Sequence, residues 1–183
     1  MMQMSYSTKT ADREALSNMV YPATTIKSAL FSMTAEMRER LQDANNILYV
    51  CLMDGAVQFF VAATSLLPLG YCEYFKVSSY HGQEQGEVVI SQLSDDARSR
   101  KYDAVIIFDD ICDSGSTFEA VKSYIQGAIP NTPVYTAALI VRDTPARKHT
   151  PDFIGIETSD SFFFYGFGMD LDGFGRNADF ITK

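Results

Sequence analysis

Along the chain, short apolar runs alternate with segments whose apolar residues recur every three or four positions. Runs at 47–52, 71–77, 87–91, 104–108, 134–141 and 153–156 are short, rich in β-branched and aromatic residues and bounded by turn formers, which predicts strands. Ile26, Leu30, Met33, Met37 and Leu41 recur at helical spacing after Thr24-Thr25, a pair able to cap a helix, so this stripe predicts the core face of a scaffold helix. Further helices are predicted over 56–67 and 117–127. Strand and helix in this alternation predict an α/β fold with a mainly parallel central sheet flanked by helices. Residues 1–20 are polar and methionine-rich without a clear period, which predicts a loose or short helical arm.

The run 104–108 carries the most chemistry, because Asp109-Asp110-Ile111-Cys112-Asp113-Ser114-Gly115-Ser116-Thr117 follows it directly. A strand buried on both faces is expected to end at Phe108, where the chain turns acidic. Open parallel sheets bind ligands at the carboxyl ends of their strands, so Asp109 and Asp110 arrive where a substrate would lie. Strand side chains alternate in direction, so the two carboxylates share one face only if the backbone turns there. A diol or a metal would suit such a pair. Ser114, Gly115, Ser116 and Thr117 lead into a helical stretch, and the N–H groups of a helix N-terminus suit a phosphate. The plainer alternative is a capped helix start beside solvated acids. A Walker-type loop is excluded, since no lysine follows Gly115.

With 183 residues, 46% of them hydrophobic, the chain can bury a full core, and one domain over 1–183 is the default. A net charge of −8 argues against a nucleic-acid partner, whose phosphates need basic patches. An anionic substrate must then be held locally, by backbone donors, a metal or a few placed arginines. The longest apolar stretch, 56–67, is interrupted by Gln58, Thr64 and Ser65 and stopped by Pro68, too short to cross a bilayer. With no basic-then-apolar leader, the expectation is a cytoplasmic protein with no membrane partner. Cys51, Cys72 and Cys112 are an odd number at no metal-like spacing, and two lie in apolar strand-like runs, so buried free thiols are expected. Cys112 reads as a spacer; a nucleophile is conceivable, but no histidine is near it in sequence.

Residues 105–117 resemble the phosphoribosyl pyrophosphate (PRPP) signature of type I phosphoribosyltransferases: a hydrophobic stretch, two acids and an Asp-Ser/Thr-Gly-x-Thr end, without a gap. The resemblance implies that Asp109 and Asp110 hold the ribose 2- and 3-hydroxyls, directly or through magnesium. It implies too that Ser114, Gly115, Ser116 and Thr117 wrap the 5-phosphate, with Asp113 beside the base. Four further segments resemble the hypoxanthine-guanine branch, extending the likeness over about residues 45–177. Leu52-Met53-Asp54-Gly55-Ala56 resembles the pyrophosphate loop, where the peptide bond just before the glycine can be cis; Asp54 stands where the family usually has lysine. Val77-Ser78-Ser79-Tyr80 and the glycine-containing stretch after it resemble the mobile lid, which would act through Ser79 and Tyr80; His81 interrupts the usual Tyr-Gly.

Leu139-Ile140-Val141-Arg142-Asp143 resembles the strand end whose lysine donates to the purine 6-oxygen, and Arg142 holds that position here, with a surface arginine as the alternative. Phe162-Phe163-Phe164-Tyr165-Gly166-Phe167-Gly168-Met169-Asp170, with Arg176, resembles the purine pocket and a small C-terminal hood over about 153–183. There Phe163 would stack on the base, the Phe164 backbone would read the purine edge, Asp170 would lie near magnesium and Arg176 on the pyrophosphate. Phe162 and Tyr165 are expected in the core.

The resemblance implies a type I phosphoribosyltransferase-like fold and a purine-salvage enzyme. PRPP plus hypoxanthine, with guanine or xanthine as further bases, would give the nucleoside 5-monophosphate and pyrophosphate. Asp113 would be the general base and Mg2+, held by Asp109, Asp110 and Asp170, the cofactor. The family's usual assembly implies a homodimer or homotetramer. The alternative reading, kept open by Asp54 and Arg142, is a regulatory protein that senses PRPP or nucleotide on the same fold.

Overall fold

A computed structural model describes residues 8–79, 88–145 and 147–183 of the chain. The elements run α1 (Thr8–Ser17), β1 (Met19–Tyr21), α2 (Ala23–Arg40), β2 (Ile47–Met53), α3 (Val57–Thr64), β3 (Tyr71–Ser79), β4 (Val88–Ile90), α4 (Asp95–Ser99), β5 (Ala104–Cys112), α5 (Ser116–Ala128), β6 (Val134–Arg142), β7 (Phe153–Thr158) and β8 (Ile181–Thr182). Six strands form the central sheet in the order β4-β3-β2-β5-β6-β7. The pairs β2–β3, β2–β5, β5–β6 and β6–β7 are parallel, and β4 adds an antiparallel edge.

β5 lies at the centre because its residues can be buried on both faces. Ala104, Ile106 and Phe108 join a core with α2, α3 and the C-terminal segment; Val105 and Ile107 join a second core under α4 and α5. This is the period of two of a strand with a covered sheet on either side. The Phe108 ring packs edge-on to Tyr49, Phe59 and Phe60 at 6.1, 5.5 and 5.4 Å between ring centroids, in the tilted geometry that aromatic quadrupoles favour.

The expected strand end at Phe108 falls four residues early. On one side the ladder with β2 does stop there, at Cys51↔Phe108; on the other, pairing with β6 continues through Asp109↔Ala138, Ile111↔Ile140 and Cys112↔Val141. Ladder hydrogen bonds are made by the backbone, so hydropathy does not end them. The unequal ends leave a notch beside the two acids. The scaffold helix starts at Ala23 with Pro22 at its N-cap, not at a Thr24-Thr25 cap: Thr25 N–H and Ile26 N–H donate to the Pro22 carbonyl at 2.9 and 3.2 Å. Proline's fixed φ, here −68°, suits a helix entrance.

α4, β1 and β8 left no signal in the pattern of apolar residues. β1 and β8 pair antiparallel, Met19 with Thr182 and Tyr21 with Ile181, and Thr182 Oγ1 donates to the Ala15 carbonyl at 2.9 Å, tying the beginning of the described chain to its end. The described residues from Thr8 onward thus hold a short helix, one of the two forms expected of the arm, followed by a strand that the apolar pattern did not show. Among the described residues no helix is long and apolar enough to cross a membrane.

The loops that enter β2 and β5 are joined by one carboxylate: Asp103 Oδ2 accepts from Asn45 N–H at 2.8 Å and Asn46 N–H at 2.9 Å. Those backbone bonds hold the Asp103 carboxyl below its ordinary value of 3.8. A depressed carboxylate contributes stability above its unfolded pKa and loses it as pH falls through the folded one. Asp103→Ala should therefore melt below the parent protein at neutral pH, with the two melting temperatures converging as pH drops under 3.8; a gap that persists at low pH would show that the bond is not the source.

Candidate active site

The notch at the end of β5 opens into two adjoining cavities. The larger, about 320 Å3, is walled by Asp110, Gly55 after β2, Arg142 at the end of β6, and Phe163, Phe164, Asp170 and Arg176 of the C-terminal segment. The smaller, about 170 Å3, lies over the turn into α5 and is lined by Asp109, Cys112, Ser114, Gly115 and Thr117. Ile111 and Asp113 line both. A wider cavity of about 580 Å3, between α1 and the outer side of the C-terminal segment, contains none of the residues expected to act.

Asp109 and Asp110 divide between the two cavities. Each carboxylate accepts the N–H of the next residue, Asp109 Oδ1 from Asp110 at 3.1 Å and Asp110 Oδ1 from Ile111 at 3.0 Å. Burial pushes both carboxyls above the ordinary range, and in Asp109 the Asp110 charge adds to it. Such a pair is poised for a positive charge or for hydroxyl donors. Gly55 is required for close approach: a Cβ there would overlap the Asp110 carboxylate. The cis peptide bond of the preceding loop is Met53–Asp54, one residue before the expected position. Asp54 itself is exposed and lines neither cavity.

The turn into α5 has Gly115 at the helix N-cap with φ +78°, a left-handed conformation that glycine adopts without Cβ strain. Ser114 Oγ lies 3.0 Å from Ser116 Oγ and accepts from Ser116 N–H at 3.3 Å, so the two hydroxyls meet at the turn, where Ser114 lines the smaller cavity. The first N–H groups of this thirteen-residue helix are directed there, as anion sites at helix N-termini require.

Across the larger cavity Arg142 is no surface residue. Its Nε lies 3.1 Å from Asp113 Oδ1, too bent for a hydrogen bond. One terminal nitrogen donates to the Phe162 carbonyl at 2.8 Å, and the guanidinium lies 5.2 Å from the centre of the Phe164 ring. Phe163 is 61% exposed at the cavity wall, while Phe164 is 1% exposed and packs on Tyr21 and Phe162. Burial thus falls on Phe164 and Tyr165; Phe162, expected in the core, is only partly buried. The segment forms isolated bridges and turns, because Gly166 and Gly168 take positive φ and turn the backbone.

Arg176 ties this hood down. Its guanidinium donates to the Gly168 carbonyl at 2.7 Å and pairs with Asp170 Oδ1 at 2.6 Å, while Asp170 Oδ2 accepts from Gly173 N–H at 2.6 Å. Gln58 in the first turn of α3 donates to the Arg176 carbonyl. Sequence reasoning missed Ile111, Met169 and Gln58. The first two stand inside quoted motifs; nothing along the chain marks Gln58. Ser79 ends β3, but its side chain, Tyr80 and His81 lie outside the described residues, as does Glu87 of the predicted 87–91 strand.

The cysteines divide against expectation: Cys51 and Cys112 are buried, Cys72 is exposed. Burial, with Asp109 and Asp110 nearby, pushes the Cys51 thiol up to about 12, and burial pushes Cys112 up to about 11. Cys112 donates to the His149 carbonyl at 3.8 Å, as a spacer would. Iodoacetamide at pH 8 should therefore label the native protein at Cys72, and the other two thiols only after unfolding. Native labelling at Cys112 would reopen its reading as a nucleophile.

Residues 19–172 match the family model described as phosphoribosyl transferase domain. Hypoxanthine phosphoribosyltransferase of Escherichia coli strain K12 is 24% identical over 170 residues, covering 88% of this chain and 92% of its own. Human hypoxanthine-guanine phosphoribosyltransferase is 25% identical over 150 residues, 75% of this chain and 67% of its own. The crystal structure of a hypoxanthine phosphoribosyltransferase from Staphylococcus aureus superimposes with a TM-score of 0.78 at 19% identity, over 97% of this chain and 96% of that one.

Proposed function

Since the chain belongs to the phosphoribosyltransferase family, we propose that residues 1–183 form one catalytic unit, hooded by residues 153–183, that transfers phosphoribosyl from PRPP to hypoxanthine. Guanine or xanthine would be further acceptors. The observation that carries this reading is the pair of adjoining cavities with Asp113 at their junction. One is rich in donors and hydroxyls, as a phosphate needs; the other has an exposed aromatic and an arginine, as a 6-oxopurine needs.

In this reading the 5-phosphate sits over Ser114, Gly115, Ser116 and Thr117, and Asp109 and Asp110 hold the ribose hydroxyls. The base stacks on Phe163, accepts at its 6-oxygen from Arg142 and has its edge read by the Phe164 backbone. The bond from ribose C1 to the base nitrogen forms as the bond from C1 to the pyrophosphate oxygen breaks, and the leaving group takes the electron pair. The proton released at purine N7 goes to Asp113. Negative groups beside C1 favour the oxocarbenium character that develops there. Gly55 and Arg176 lie on the pyrophosphate side, and the family likeness implies a lid, through Ser79 and Tyr80, that would exclude water.

Magnesium is typically held by one or two carboxylates together with substrate oxygens, and the half-buried pair Asp109 and Asp110 fits that donor set. Asp170 keeps lone pairs beyond those used by Arg176 and Gly173. Bound there, magnesium would neutralise charge on the leaving pyrophosphate. Among the described residues no three metal-ligating side chains are gathered into one cluster, so Asp109, Asp110 and Asp170 do not make a closed metal site by themselves.

Turnover with PRPP, magnesium and each of hypoxanthine, guanine and xanthine tests the reading, with nucleoside monophosphate and pyrophosphate expected from hypoxanthine. PRPP binding without turnover on any base would favour the sensor, which the exposed acid Asp54 keeps in play. Asp113→Asn should retain PRPP affinity and lose ~10²–10⁴-fold in turnover, because the amide keeps the shape but takes no proton. Unchanged turnover would remove Asp113 as the base. Arg142→Lys should shift relative turnover among 6-oxo bases by roughly tenfold, with the KM for PRPP nearly fixed; identical base profiles for parent, Arg142→Lys and Arg142→Ala would remove Arg142 from the base site.

A further inference from the structure

Among the described residues the connection from β6 to β7 carries no helix; it returns along the sheet as a strap, and two of its residues, Lys148 and His149, lie against the back of the turn into α5. Lys148 N–H and His149 N–H both point at the Ser114 carbonyl, at 2.8 and 3.4 Å. The His149 carbonyl accepts from Cys112 Sγ at 3.8 Å, and the His149 backbone is so close to Gly115 that a Cβ there would meet its oxygen at 2.6 Å. The His149 ring lies 5.7 Å from that of Phe118 in the first turn of the helix. One residue therefore touches Cys112, Ser114, Gly115 and Phe118.

The strap is itself pinned from below. Thr136, fully buried in β6, donates its hydroxyl to Asp152 Oδ2 at 2.9 Å and accepts from Asp152 N–H at 3.1 Å. His149 Nε2 lies 2.9 Å from the Thr136 hydroxyl oxygen. A hydroxyl has one proton and two lone pairs, so with the proton given to Asp152 the imidazole must donate, and Nε2 carries a hydrogen. Asp152 Oδ2 also accepts from Thr136 N–H at 2.8 Å. Every hydrogen-bonding site of the hydroxyl is used, which leaves the ring one orientation.

We propose that His149, locked by Thr136 and Asp152, is a positioning residue that holds the Ser114–Gly115 turn in the shape that captures the 5-phosphate. The inference rests on the assignment of that turn to the phosphate in the preceding subsection. His149 touches no substrate; it acts through Ser114 and Gly115. The effect belongs to substrate capture and not to the chemical step, since Asp113 and Arg142 are outside its contacts.

The test uses the full chain with Thr136→Val, Thr136→Ser and His149→Ala. Thr136→Val and His149→Ala should raise the KM for PRPP about tenfold, with kcat and the KM for the base within about twofold, and Thr136→Ser should restore the parent value. Calorimetric titration with inosine 5-monophosphate and with inosine separates the two assignments. If the parent binds nucleotide and nucleoside equally, the turn does not take the phosphate and the earlier assignment fails. If the parent prefers the nucleotide and both Thr136→Val and His149→Ala keep the full preference, the strap proposal fails. His149 is only partly buried, so His149→Ala keeps the test decisive should the buried Thr136→Val not fold.

Discussion

Two carboxylates, Asp109 and Asp110, are held at the end of a strand otherwise buried on both faces, and the surrounding structure is arranged around the cost of keeping them there. Burial raises both pKa values, so their ionised forms are disfavoured until something positive or hydroxylic arrives. The neighbouring elements give way to the acids: the ladder with β2 stops at Phe108, and Gly55 leaves the Asp110 carboxylate the volume that any side chain would occupy. The aromatic packing of Phe108 against Tyr49, Phe59 and Phe60 directly beneath supplies the rigidity that lets a polar notch exist.

The hood follows a similar logic on the opposite wall. Phe162, Phe163 and Phe164 are chemically alike, yet only Phe163 is left facing the cavity, because Phe164 turns into the core beside Tyr21 and Phe162 covers it. Arg176 and Asp170 pair with one another, and each also holds a backbone group, the Gly168 carbonyl and the Gly173 N–H. This pins a segment that has almost no regular secondary structure. Arg142 bridges the walls, set between Asp113 and the Phe162 carbonyl, so the acid at the cavity junction and the aromatic wall share one side chain. Its planar guanidinium can span that gap where a lysine offers a point charge.

The sequence alone determined the α/β class, the order of the six central strands along the chain and many of the residues that line the two cavities. These were legible because alternation and helical spacing follow from local backbone geometry, and because the acids, glycine and hydroxyls of 109–117 stand next to one another in the chain. Tertiary structure decided the rest. Where β5 ends depends on which neighbour still pairs with it; because it runs on through Cys112, Asp109 and Asp110 keep the alternation of a strand and part between two cavities beside the notch left where β2 stops pairing. Cys72 is exposed, although its apolar run suggested burial, because it lies on β3, towards the edge of the sheet. The pairing of β1 with β8, the Gln58 bond to Arg176 and the lock of His149 by Thr136 and Asp152 join residues distant in sequence or marked by no motif. Such contacts are made by single hydrogen bonds and two- or three-residue strands, which impose no periodicity on the chain and come into being only when the sheet brings their partners together.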